Sequence, residues 1–142
     1  MSDARPSGPP AGAIAILLWA ALLSGVAITT GLCVFLHPRY VGLRHPPNAI
    51  ALLTWLTVFT GLGASAVPPL LRRIAPRGSG EDVGQWWARM LARALVLWAV
   101  GDGVGLFAAV VYLMTGHAAA FAATAVSVAI FVLTNPARLQ GR

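Results

Sequence analysis

The chain has 142 residues, of which 58% are hydrophobic and 10% charged, with a mean hydropathy of +0.77. A water-soluble domain of this size lacks the interior to hide that much apolar surface, so the composition excludes an ordinary soluble enzyme and points to the bilayer as solvent. The formal charge of +6 is carried entirely by arginine, and the placement of those arginines on one side of apolar runs accounts for it without nucleic acid as a partner.

Residues 1–11, MSDARPSGPPA, are rich in Pro, Gly and Ser and read as a disordered cytoplasmic tail. The first apolar run covers 12–36. It is too long for the apolar core of a signal peptide and no small-x-small cleavage site follows, so it reads as a retained span. Cys33 lies inside it, the chain's single cysteine, and is expected to pack rather than react. HPRYVGLRHPPN (37–48) reads as a short outer loop in which Pro38 ends one helix and Asn48 caps the next.

A second run spans 49–71, with Thr54, Thr57, Gly61, Ala64 and Ser65 on one face. Such a small, weakly polar stripe is expected to pack against another membrane helix. Pro68 and Pro69 are expected to kink or end this helix. Beyond the polar loop 72–85, EDVGQWWARMLAR carries Glu81, Gln85, Arg89 and Arg93 at i, i+4 spacing. This segment reads as an interfacial lead-in to the third span, with Trp86, Trp87, Arg89 and Arg93 as headgroup-level anchors. The third run covers 94–114 and the fourth 118–134, joined by TGH (115–117) as a tight antiparallel hairpin. At about 1.5 Å per residue the fourth run reaches roughly 25 Å, short for a core about 30 Å thick.

The expected fold is therefore all-α: a polytopic bundle of four transmembrane helices forming a single domain over 12–136, followed by a cytoplasmic tail at 137–142. Arg5, Arg138, Arg142 and the five arginines between spans two and three fall on one side; only Arg39 and Arg44 fall on the other. By the positive-inside rule both termini are expected in the cytoplasm, in a bacterial inner membrane.

One residue resists this plain reading. Asp102 is one of four acidic residues in the chain, yet it lies in the third apolar run, within GDG. About 12 Å past Ala94 it falls near the bilayer midplane, where desolvation favours the neutral acid. Trp98, one turn earlier, is placed to donate its indole N–H to the carboxyl; Thr54, Thr57 and Ser127 supply hydroxyls on neighbouring spans. Gly101, Gly103, Gly105 and Ala109 strip bulk from this helix and form a small-residue ladder for close helix packing. Three readings stay open. Asp102 is a protonated glue residue, or it pairs with a group on a partner chain, or it is a proton- or cation-binding site.

Residues 50–116 resemble the proton-binding hairpin of the rotary ATPase subunit c family. GLGAS (61–65) stands in the small-residue helix, RRIAPRG (72–78) in the basic loop, and Asp102 at the mid-membrane acid. The resemblance implies proton binding at Asp102. The QWWARMLAR segment departs from that family, as does the placing of the basic loop between spans two and three. The chain is also similar to uncharacterised bacterial four-span proteins that carry A-x-x-E…G-L-V-x-Y-L-x-T-G in their third helix. Here that pattern reads as Ala99, Asp102, Leu106 and YLMTG (112–116), and it implies a fold without an activity.

His37, His45 and His117 are all expected at the outer face and make one candidate set for zinc or copper. Short loops and the lack of a neighbouring cysteine or acid favour reading them as interfacial residues, so no metal or other cofactor is expected. No nucleophile–base pair, phosphate-binding loop or paired carboxylates is present, so the chain reads as a non-enzyme. The functional expectation is an accessory, assembly or structural subunit of a membrane complex, with lipid and a membrane protein or a second copy as partners. The alternative is a proton- or cation-handling component built on Asp102.

Overall fold

The computed structural model describes residues 10–41 and 48–141. It is all-helical: α1 (Ala11–Val41), α2 (Ala49–Arg72), α3 (Val83–Thr115), α4 (Ala119–Leu133) and a short α5 (Pro136–Gln140). Residues 1–9 of the tail expected over 1–11, and the centre of the outer loop with Arg44 and His45, lie outside the described residues, while Ala11 already begins α1.

Three helix starts have a side-chain cap. Asn48 accepts from the Ala51 amide at 3.3 Å, as its position before α2 suggests. Asp82 caps α3 by accepting from the Gly84 amide at 2.9 Å. Asn135 accepts from the Ala137 amide, with Pro136 in the first turn of α5. Gly116 closes α3 in a left-handed conformation (φ 65°), its amide bonded to the Tyr112 carbonyl. A Cβ at Gly116 would collide with the His37 ring, so both backbone and space demand glycine there.

Pro38 does not end its helix as expected: it lies inside α1, which runs on to Val41. Pro68 and Pro69 lie inside α2, which ends within a turn of them at Arg72. In apolar surroundings, unwinding a helix end strands more backbone groups than a proline removes, so continuing the helix is the lower-cost choice. The lead-in segment likewise merges with the third span into one 33-residue helix. Glu81 stays outside that helix and folds back to receive Arg89, with Arg89 Nη2 2.9 Å from its Oε2. The Arg89 guanidinium and the Gly78 amide hold the Glu81 carboxyl below the usual carboxylate range. Whatever stability this exposed pair adds is present above about pH 4.3 and fades as pH falls through the lowered value.

The helix α3 is central and packs on α1, α2 and α4. Gly12 meets Trp87, Val26 meets Gly105 and His37 meets Leu113, so α1 and α3 run parallel along their length. In contrast α2 runs antiparallel to α3, with Gly63 against Val104 and the Phe59 and Phe107 rings 5.2 Å apart. The hairpin partner α4 is antiparallel too, with Ser127 beside Gly101 and Thr134 beside Trp98. The residues expected as a tail after 136 instead form α5, whose Leu139 is buried and whose helix contacts α1.

The outside is as apolar as the inside. Leu17 is 68% exposed, Ile28 70% and Ile50 79%. Three helices, α1, α2 and α3, are long and apolar enough to cross a membrane, and α4 is a shorter apolar helix of 15 residues. This outer surface and these helices mark a membrane protein.

The small-residue positions divide by environment. A Cβ at Gly105 would lie 2.6 Å from a Val26 methyl and 2.7 Å from Ser127 Oγ, whereas one at Gly103 meets nothing within 4 Å. Gly105→Ala should therefore cost about 1–3 kcal/mol through overpacking, while Gly103→Ala should be neutral or gain up to about 1 kcal/mol of helix propensity. Thermal unfolding of the two variants in detergent checks the contrast: the first melts lower than the parent, the second does not.

Candidate functional site

Asp102 occupies a distinct sector of α3. Gly101 packs against Ile130 and Phe131 of α4, and Val100 and Val104 close over Gly63 of α2. Asp102 is two residues from each valine, about 200° around the helix, so it lies on the far side of α3 from α2. It is partly exposed, at the margin of the face that α1 covers. Among the described residues no hydrogen bond or ion pair reaches its carboxyl; the one ion pair is Arg89–Glu81.

The groups expected to serve Asp102 are bonded elsewhere. Trp98 Nε1 donates to the Thr134 carbonyl at 3.1 Å, at the end of α4. Ser127 Oγ donates to the Gly101 carbonyl at 2.7 Å. Thr54 and Thr57 donate to Ile50 and Leu53 within their own helix, on exposed positions across α3 from the acid. Trp98, Thr54 and Thr57 share a physical reason: a carbonyl one turn away, or at an open helix end, is a fixed acceptor within reach. Ser127 bonds instead to a mid-helix carbonyl of α3, where Gly101 lets α4 come close.

The tryptophans form the interior at the end of the bundle that carries the arginine-rich loop. Trp86 and Trp87 are both 0% exposed, so their rings face neighbouring helices and not headgroups. Trp86 Nε1 donates to the Ala75 carbonyl at 3.0 Å and pins the chain after α2 onto α3. Trp87 packs edge-on to Trp86, 4.8 Å between centroids, and against Gly12. Arg89 and Arg93 do remain exposed: Arg89 holds Glu81, and Arg93 Nη1 donates to the Arg73 carbonyl at 2.6 Å, capping the C-terminus of α2. Sequence reasoning passed over Trp19, whose Nε1 donates to the Phe131 carbonyl at 3.1 Å. The signal for it was the need of a mid-span indole N–H for an acceptor; the acceptor itself is 112 residues away and has no sequence mark.

Gly101, Gly105 and Ala109 are buried packing positions as the ladder suggests, whereas Gly61 and Gly103 are not: a Cβ at either meets nothing within 4 Å. Gly61 lines an open groove between α2 and α4, and Gly103 one between α2 and α3. His37 and His117 each have a backbone partner of their own. His37 Nδ1 lies 3.0 Å from the Leu113 carbonyl, and His117 Nδ1 accepts from the Ala119 amide at the start of α4. Among the described residues no three potential metal ligands converge, and His45 lies outside them. Compared with protein-family models, curated proteins and solved structures, the chain matches none.

Two substitutions separate structural from functional demand. Trp98→Phe leaves the buried Thr134 carbonyl without its donor and should cost about 1–3 kcal/mol. Asp102→Asn removes no intrachain bond and should leave the melting temperature of the isolated chain unchanged. Parallel thermal melts in detergent read both; a large drop for Asp102→Asn would mean that the acid is needed by the fold itself.

Proposed function

We propose that the chain is a multi-pass protein of a bacterial inner membrane, crossing four times with both termini in the cytoplasm. It acts there as a non-catalytic accessory or assembly subunit of a membrane complex. The supporting observation is Asp102, an apolar-helix carboxyl without a partner among the described residues, whose expected donors all bond to backbone carbonyls. An ionisable group in such a setting needs a partner, and the open side of α3 leaves room for one from another chain. The arginine distribution supports the orientation. The 15-residue α4, at about 22 Å, crosses with local thinning of the bilayer or with its flanking residues.

On this reading Asp102 receives a hydrogen bond or a cation from a partner helix, a contact of about 1–2 kcal/mol, or roughly 5- to 30-fold in affinity. A second reading rests on the same lone carboxyl: a proton or cation takes the partner's place, in keeping with the likeness to the subunit c hairpin. Native-mass measurement after gentle extraction, with every co-purifying chain identified, distinguishes them. A mixed complex that loses its partner on Asp102→Asn supports the assembly role. A homo-oligomer that carries protons into liposomes, and stops on carbodiimide treatment or Asp102→Asn, overturns it in favour of ion handling.

A further inference from the structure

On the opposite side of α3 from Asp102, a recess of about 360 Å³ between α2 and α3 near the arginine-rich loop is lined by Leu70, Arg73, Arg93 and Val96. Next along the same two helices lies a second recess of about 300 Å³, reaching Ala66 and Gly103, with walls otherwise aliphatic or aromatic. From Arg93 to Gly103 the cleft follows ten residues of helix, about 15 Å, which equals one leaflet of a hydrocarbon core about 30 Å thick. Its chemistry changes along that length, from two guanidinium groups at one end to hydrocarbon for the rest.

The charge at the mouth has no counterion among the described residues. Among the described residues the single ion pair is Arg89–Glu81, so neither Arg73 nor Arg93 has a carboxylate within 4 Å. Arg93 Nη1 donates to the Arg73 carbonyl and touches the Met90 sulfur at 3.8 Å, which fixes the guanidinium plane and leaves Nε and Nη2 without a partner among the described residues. A guanidinium held in this way presents the planar fork that binds a phosphate bidentately. Gly103 keeps the lower cleft open, since a Cβ there would meet no other atom within 4 Å. We propose that this cleft is a binding site for one anionic phospholipid of the adjacent leaflet, its phosphate on Arg73 and Arg93 and an acyl chain lying along α2 and α3 toward Gly103.

The test uses the full chain, purified in detergent and stripped of lipid. Phosphatidylglycerol, phosphatidylcholine with the same acyl chains, and glycerol phosphate are added separately, and binding is read by native mass spectrometry and by the shift in melting temperature. The expected result is a one-to-one phosphatidylglycerol adduct that raises the melting temperature, with weaker binding of phosphatidylcholine and no stabilisation by glycerol phosphate. Arg73→Gln, whose side chain makes no intrachain hydrogen bond, should weaken phosphatidylglycerol about fivefold. Gly103→Leu should fill the lower cleft and weaken both lipids with the arginines still in place. Equal binding of the two lipids, full stabilisation by glycerol phosphate, or unaltered phosphatidylglycerol binding in both variants would each overturn the proposal. A folded Arg73→Gln protein, checked by circular dichroism, makes any loss attributable to the site.

Discussion

The architecture depends on how one short helix is finished. α4 has only 15 residues, and Phe131 and Thr134 at its end are fully buried, so their carbonyls need partners within the protein. Trp19 reaches the Phe131 carbonyl from α1, Trp98 reaches the Thr134 carbonyl from α3, and the Thr134 hydroxyl bonds back to Ile130. An unmet carbonyl in an apolar interior costs several times what a made hydrogen bond contributes, so these donors are close to obligatory. In meeting that need they clamp the end of α4 between α1 and α3, and Asn135 and Pro136 then turn the chain into α5 against α1.

The isolation of Asp102 follows from this clamp. Trp98 is one turn from the acid and carries the nearest strong donor, yet that donor is held by α4. Ser127 is held by Gly101 in the same packing, where α3 gives up side chains so that α4 can approach. The central helix thus serves different neighbours on different faces. Gly101 and Gly105 receive α4 and α1, Val100 and Val104 receive α2, and Asp102 takes the sector left over. A chain that needed only to fold would place leucine there.

The arginine-rich-loop end illustrates how buried aromatic and exposed basic residues share one region. Trp86, Trp87 and Ile74 form a packed interior beneath the loop, while Arg73, Arg89 and Arg93 stay outside it. Arg89 is neutralised by Glu81, and Arg93 complements the partial negative charge at the end of α2. The residual positive charge of Arg73 and Arg93 then stands at the mouth of an apolar cleft, an arrangement suited to an amphipathic anionic ligand.

Composition, apolar run length and arginine placement are local properties, and they were enough to establish a helical membrane protein, its helix order, the caps at Asn48 and the tight α3–α4 turn. They work because a bilayer forces backbone hydrogen bonds to close within each segment, so every span is legible on its own. Asp102 was legible for the same reason: a carboxyl in an apolar run is conspicuous wherever the run packs. Partner choice was not. Trp98, Ser127 and Thr57 were plausible donors to Asp102 by depth, and Trp86 and Trp87 plausible lipid anchors by composition. Which acceptor a donor meets, and whether a ring faces lipid or protein, depends on the rotation of each helix about its axis. That rotation is set by contacts between residues far apart in the chain, such as Trp19 with Phe131 and Val26 with Gly105. The sequence by itself determined the elements and the anomaly; tertiary packing decided which carbonyls the indoles cap, and so left the anomaly without a partner.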